Sequence, residues 1–266
     1  MSCSIGVIGG GFVGSATACF SNEQISVIVY DIDPAKCVPQ GVQWEDILNC
    51  TAVFICVPTP INDLDGSCDT SIVDSVIDKL NLSSYKGFVI VRSTVPVGYC
   101  KSKSVHFMPE FLTEKNWKND FLNCSCWIIG TDDVNVYTFI TDLINNSPVV
   151  NKKIEAVDTC TAELVKYFRN CFLAVKVSFC NEMEAFSRAK GCDYSVVQEL
   201  VAQDTRIGLS HTFVPGHDGK RGFGGHCLPK DSYSLQAQMK DAEVESFVLS
   251  AAIKRNEIID RPEKDW

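Results

Sequence analysis

Long apolar runs are missing from this 266-residue chain. Nothing in it approaches the roughly 20 consecutive apolar residues that a membrane-spanning helix needs, so no membrane partner is expected. A basic stripe is missing too. The formal net charge of −9 repels a polyanion, which argues against nucleic-acid polymers as partners. Phosphate on a small ligand must then be held locally, by backbone N–H groups or single cations. No signal-peptide layout is seen where Met1-Ser2-Cys3-Ser4 leads into a strand-like stretch, and a cytoplasmic location is expected. Internal repeats and low-complexity tracts are absent. So is a C-x-x-C pair, although the chain carries 14 cysteines. Several lie in apolar stretches (Cys19, Cys56, Cys171, Cys180), where a thiol behaves as a small core hydrophobe. Without regular spacing they point to reduced thiols rather than a disulfide framework.

What is present is 45% hydrophobic residues, enough for one or two domains with substantial cores. Short β-branched runs recur at Ser4–Gly9, Ile25–Tyr30, Ala52–Val57, Phe88–Val91, Val105–Met108 and Trp127–Gly130. Helical patterns at Phe12–Phe20, Thr70–Leu80 and Val134–Asn145 alternate with them. Such alternation predicts an α/β fold with a parallel, doubly wound sheet. After Pro148 the texture changes. Asp158 to Lys190 contains neither Pro nor Gly and repeats apolar residues at helical spacing (Leu164, Phe168, Cys171, Phe172, Val175, Phe179). It predicts one long helix, capped by Asp158 or Thr159 and stopped by Gly191. Further helices are expected at Tyr194–Gln203, Lys230–Lys240 and Glu243–Ile259. The fold class expected is therefore a Rossmann-like N-terminal parallel sheet over 1–152, followed by an all-helical domain over 153–266.

Gly9-Gly10-Gly11-Phe12-Val13-Gly14 fits G-x-G-x-x-G and sits where a strand turns into a helix. Gly9 permits the tight turn, Gly11 lets a pyrophosphate approach the backbone, and Gly14 lets helix lie close on strand. The helix N-terminus, with Phe12 and Val13, supplies positive potential for phosphates. A second strand ends in Asp31, whose carboxylate accepts from a ribose 2′-OH and repels a 2′-phosphate. NAD is thus expected over NADP, and the first domain is expected to bind it. The plain alternative is a glycine-rich turn of an ordinary α/β protein.

Gly222-Phe223-Gly224-Gly225-His226-Cys227-Leu228-Pro229-Lys230-Asp231 is the most informative stretch. Its glycines allow close approach to a ligand, and Pro229 suits the first turn of a helix. Cys227 would then lie near a helix N-terminus with Lys230 beside it, conditions that favour a nucleophilic thiolate. Asp231 follows one turn later and can move a proton or orient water. A helix cap with a buried cysteine is the competing interpretation. His211, His217 and His226 lie nearby in the sequence, but their spacing matches no common zinc pattern, so no metal is expected. On the long helix, Lys166 and Asn170 share a face, with Asn181 near the same side. A lysine and an asparagine there can stabilise an alkoxide or oxyanion; a solvated helix face is the alternative.

Together these segments resemble the UDP-glucose/GDP-mannose dehydrogenase family. The resemblance is carried, in family order, by Gly9–Gly14 with Tyr30-Asp31, Val57-Pro58-Thr59-Pro60, Ser93-Thr94-Val95-Pro96-Val97-Gly98, and Pro109-Glu110-Phe111-Leu112. It continues through Ala162-Glu163-Leu164-Val165-Lys166 with Asn170, Asp204-Thr205-Arg206-Ile207-Gly208, and Gly222 to Asp231. It implies two successive NAD-dependent oxidations of a nucleotide-sugar, UDP-glucose to UDP-glucuronate being the reaction expected, in the service of polysaccharide synthesis. Lys166 and Asn170 would steady the oxyanion, Cys227 would form a thiohemiacetal and then a thioester, and Asp231, Glu110 and a water on Thr94 would assist proton transfer. By the same resemblance Lys36, Thr59, Thr94, Glu114 and Lys230 would lie around NAD. Phe111, Leu112, Glu114, Phe223 and Gly224 would line the sugar site with Lys166 and Asn170, and Arg206 would reach a neighbouring subunit's substrate.

The chain departs from the family's pattern in three places. Family members carry a third, C-terminal α/β domain that completes the nucleotide pocket, whereas this chain stops at Trp266. The segment from Gly98 to Pro109 is short and lacks most of a helix, and Lys115 stands where glycine is usual. Two other readings remain open at this point. A β-hydroxyacid dehydrogenase of the 3-hydroxyisobutyrate type also joins such domains and uses a Lys with an Asn four residues on, but needs no cysteine. A non-catalytic NAD-binding partner of a full-length dehydrogenase is the other. The long helix and the apolar terminal helix (Phe247, Val248, Leu249, Ile253, Ile258) are expected to form a homodimer through the helical domain.

Overall fold

The computed structural model describes residues 3–266; Met1 and Ser2, part of the N-terminal segment considered above, lie outside the described residues. Seven strands form one sheet: β1 (Cys3–Ile8), β2 (Ile25–Tyr30), β3 (Ala52–Ile55), β4 (Phe88–Val91), β5 (His106–Phe107), β6 (Trp127–Gly130) and β7 (Ile154–Val157). Their order is β2-β1-β3-β4-β5-β6-β7. Every pairing is parallel except β5 with β6, a single antiparallel contact of Phe107 with Gly130. The helices are α1 (Phe12–Thr17), α2 (Trp44–Leu48), α3 (Ser71–Leu82), α4 (Tyr99–Lys103), α5 (Trp117–Leu122), α6 (Val134–Asn146), α7 (Thr159–Ala189), α8 (Tyr194–Ala202), α9 (Cys227–Asp241) and α10 (Phe247–Arg255).

The chain divides into two compact units. The first comprises residues through Pro60 and Asp69–Lys166; the second comprises Ile61–Cys68 and Tyr167–Trp266. In the first, alternate residues of each strand feed opposite faces of the sheet. Ile5, Val7, Phe54 and Ile90 join one apolar cluster with α1, α5 and α6. Ile8, Val53, Ile55 and Val91 join the other with α2, α3 and the start of α7. A strand buried on both faces needs near-continuous apolar sequence, which is why these runs carry no polar alternation. The second unit's core is smaller: Cys171, Ala174, Phe223, Leu249 and Ile253.

Two sequence expectations need correction. The sheet does not end at β6: β7 lies beyond residue 152 and pairs with β6 from Trp127↔Ile154 to Gly130↔Val157. Ile-Glu-Ala-Val is too short, and too exposed at its centre, to carry a periodic signal. The long helix turns Phe168, Phe172 and Phe179 outward, and its inward residues include Ala162, Tyr167, Asn170, Cys171, Ala174 and Ser178. The last helical stretch begins at Phe247 rather than Glu243, because Glu243 adopts a left-handed φ of 58°. Between Gly98 and Pro109 only the five-residue α4 remains. No helix among the described residues is long and apolar enough to cross a membrane.

Candidate active site

The glycine turn after β1 is built by steric necessity. Gly9 has φ of 104°, a region that side chains rarely adopt, and a Cβ there would lie 2.6 Å from the Cys56 carbonyl oxygen. A Cβ at Gly14 would overlap the Gly9 carbonyl oxygen, whereas one at Gly11 would meet nothing within 4 Å. Gly11 is the N-cap of α1 and offers no side chain to the first-turn N–H groups, so an anion can take those donors. Asp31, just past β2, accepts from the Gly10 N–H at 2.6 Å through Oδ2 and from the Asp33 N–H at 2.8 Å through Oδ1. A carboxylate has about four acceptor sites, so both oxygens can still receive ribose hydroxyls. This cradle fits NAD. Around the same unit Thr59 and Thr94 are buried, Phe12, Lys36 and Glu114 are exposed, and Val13, Phe111 and Leu112 are half-buried.

The first unit also holds a buried ion pair. Lys166 Nζ lies 2.6 Å from Glu110 Oε1, donates to the Glu110 carbonyl oxygen at 2.8 Å, and sits 5.8 Å from the Phe111 ring centre. The two side chains are 4% and 6% exposed. Burial alone would push the Glu110 carboxyl up. The Lys166 ammonium, the Leu112 N–H at 2.9 Å and the Arg92 guanidinium outweigh it and hold the group below the usual carboxylate range. Arg92 was not singled out from the sequence. Its guanidinium is buried, 5.5 Å from the Phe121 ring centre, and its Nε and Nη1 have no hydrogen-bond partner among the described residues. The available signal was a lone cation closing the apolar run Phe88–Val91.

In the second unit Cys227 is the first residue of α9 and Pro229 the third, which puts the thiol at the helix N-terminus as the Pro predicted. Asp231 is fully buried one turn on. Its Oδ2 accepts from Asn170 Nδ2 at 2.6 Å and its Oδ1 lies 2.5 Å from Lys230 Nζ. The Cys171 thiol donates to the Asp231 carbonyl at 3.4 Å. Thus Asn170, Lys230 and Asp231 form one cluster at the start of α9. Two expected sugar-site residues also have structural contacts. The Phe223 side chain is a core residue, and Gly224 lies against the Arg261 guanidinium, which a Cβ would overlap. Asn181, read as part of a polar stripe with Lys166 and Asn170, uses its amide on the Gly222 N–H and the Val177 carbonyl. Arg206 is 87% exposed and bound to Asp204. Burial pushes the thiols of Cys50 and Cys56 up to about 11 and that of Cys171 up to about 12, which keeps these three unreactive.

Against known proteins, residues 42–146 match the NAD-binding domain of the UDP-glucose/GDP-mannose dehydrogenase family, and residues 160–258 match that family's central domain. The chain belongs to this family. As a family member it uses NAD, in keeping with the fit of its glycine cradle. Among relatives it is similar to a UDP-glucose 6-dehydrogenase of Rickettsia bellii, 30% identical over 95% of this chain and 64% of that protein. Another, from Campylobacter jejuni, is 28% identical over 95% and 71%. The UDP-glucose dehydrogenase of Pyrobaculum islandicum superposes with a TM-score of 0.85 at 27% identity, over 97% of this chain and 68% of that one. A 3-hydroxyisobutyrate dehydrogenase from Mycobacterium tuberculosis, at 16% identity and a TM-score of 0.70, shares the fold alone. This dehydrogenase family member spans 64% of the length of the first of these relatives.

Proposed function

We propose that the chain oxidises the primary alcohol of a nucleotide-sugar to a carboxylate, with UDP-glucose as substrate and Cys227 as covalent nucleophile. The observation that carries this reading is the cluster at the start of α9. A thiol at the helix N-terminus, with a buried Asp231 one turn on held by Asn170 and Lys230, serves thioester chemistry. A hydroxyacid dehydrogenase would have no use for it. The names of the similar enzymes support the choice of UDP-glucose.

Residues Gly9, Gly11, Gly14 and Asp31 hold NAD, with Phe12, Val13, Lys36, Thr59, Thr94, Glu114 and Lys230 around it. NAD, when bound, supplies the acceptor for the hydride released in each oxidation. Lys166 and Asn170 donate to the sugar oxygen as it becomes an alkoxide, and Glu110, ionised beside Lys166, keeps that lysine charged and aimed. The Cys227 sulfur then adds to the aldehyde carbon while its proton passes by way of Asp231 to the carbonyl oxygen: a C–S bond forms, the C=O π bond breaks and the oxygen becomes the thiohemiacetal hydroxyl. The second oxidation leaves a thioester. Water held near Thr94 and Glu110 attacks it, the C–S bond breaks, and a proton from that water passes by way of Asp231 to the sulfur. The balance is one alcohol and one water to one carboxylate, with two NADH and three protons released. Phe111, Leu112 and the Gly224 backbone line the sugar, and Arg206 serves a neighbouring subunit.

The assembly is a homodimer. Phe168, Phe172, Phe179 and Phe186 are all more than half exposed along α7. Val248, Ile258 and Ile259 line a groove with Val175 and Phe179. An exposed apolar stripe of that size marks an interface. The test of the reaction is NADH yield with NAD and a panel of nucleotide-sugars. Two NADH per sugar acid are expected, and none of the acid from Cys227→Ser. A Cys227→Ser enzyme that still makes the acid would sink the covalent step, and turnover of a hydroxyacid instead would replace the substrate class.

A further inference from the structure

The end of α10 is inside out. Residues Asn256–Asp260 continue it as a π-helical turn. There the polar Asn256, Asp260 and Arg261 are 1%, 5% and 4% exposed, while Ile258 and Ile259 are 62% and 59% exposed. Hydrophobic burial does not produce such a pattern; partners for the polar groups must. Asp260 pairs with Arg255 and Arg221, and Asn256 finds its partners in peptide groups of the loop that leads into Cys227. Asn256 Oδ1 accepts from the Phe223 N–H at 2.8 Å, and its Nδ2 donates to the Phe223 carbonyl at 2.9 Å. Gly222 passes so close that a Cβ there would overlap Asn256 Oδ1. Beside it, the Gly222 N–H donates to Asn181 Oδ1 at 3.1 Å. Arg261 lies flat against Gly224, itself pinned by Asp218 at 2.6 Å and Asp265 at 2.5 Å.

We infer that Asn256 is a positioning residue for Cys227: its amide locks both peptide groups of Phe223, and so fixes the glycine loop and the first turn of α9. The inference rests on the reading of Cys227 as the nucleophile. A loop of three glycines within four residues has little intrinsic order. One side chain holding an N–H and a C=O of the same residue removes that freedom, and Asn181 and Arg261 hold the residues on either side. Cys227 then meets its target from one place, at the N-terminus of α9.

The test compares Asn256→Asp, which keeps the acceptor for the Phe223 N–H and loses the donor, with Asn256→Ala, which loses both. Iodoacetamide modification of Cys227 is followed by peptide mass spectrometry across pH in the full chain, with the exposed Cys192 of the same molecules as internal standard. Alongside it, kcat and KM for NAD are measured. The Cys227-to-Cys192 rate ratio at neutral pH is expected to fall by about two- to fivefold, the equivalent of losing a helix-end interaction. The pH midpoint for Cys227 moves up, with Asn256→Asp intermediate. The kcat of the alanine variant falls on the order of 10²-fold, with KM for NAD unchanged. A merely structural role would leave the ratio and the midpoint as in wild type, and that result overturns the inference. If the alanine variant does not fold, Asn256→Asp alone decides by the same ratio. The ratio requires no turnover, so a wild-type chain inactive on nucleotide-sugars would count against the proposed reaction and leave this test standing.

Discussion

Replacing Lys166 with methionine removes the charge beside Glu110 and keeps most of the volume. The pair is almost fully buried, at 4% and 6% side-chain exposure. Breaking a buried pair from one side typically costs ~3–5 kcal/mol, because the other charge is left without compensation. Glu110 would keep the Leu112 N–H and the field of Arg92, which places the expected loss at the lower end, about 3 kcal/mol. The sign with pH follows from the same groups. In the wild type Glu110 lies below the usual carboxylate range, so its contribution is present above the unfolded value of about 4.3 and is lost as pH falls through the folded one. Without Lys166, burial dominates and the carboxyl moves up. The variant's deficit is therefore greatest near neutrality and narrows on acidification, once Glu110 is protonated in the variant's folded state. Tryptophan fluorescence in urea reads this directly, since Trp44, Trp117 and Trp127 all lie in the first unit. A deficit below about 1 kcal/mol at neutral pH, or one that does not change with pH, would refute the reasoning.

Two other outcomes follow from the geometry. Gly14→Ala forces a Cβ onto the Gly9 carbonyl; it should destabilise the first unit by roughly 1–3 kcal/mol and weaken NAD binding in a fluorescence titration by about tenfold or more, whereas Gly11→Ala, with open space around it, should spare stability. Phe168→Lys with Phe172→Lys should convert the dimer to a monomer in equilibrium sedimentation; a wild-type chain already monomeric at working concentration would end the proposal that α7 pairs.

Much of the first unit was legible from local pattern. The expected runs Ile25–Tyr30, Phe88–Val91 and Trp127–Gly130 coincide with β2, β4 and β6, because a strand buried on both faces is written as an apolar run between turn residues. The glycine turn was legible as well, since its sterics lie within six consecutive residues. Strand β7 was not, being four residues long with its centre exposed. Periodicity marked the apolar face of α7 but not what covers it, and here the phenylalanines lie outward. In the site, Cys227, Lys166, Asn170 and Asp231 were each visible, but their partners were not. Glu110 meets Lys166 across 56 positions and Asn170 meets Asp231 across 61. Arg92 offered only a lone cation at the end of an apolar run, and Asn256 carried no local signal of a task.

By itself, then, the sequence determined the α/β class, the glycine turn, a helix start near Cys227 and the family, all of them properties of short segments whose residues must satisfy their own backbone. The tertiary structure alone decided which carboxylate compensates which cation, and that the Phe223 side chain serves the core while its peptide groups serve Asn256. It also decided that the final helical turn faces its polar residues inward. These depend on burial, and burial is a sum over distant segments: a charge or an amide acquires its role only when folding removes water from around it and leaves one particular partner within reach.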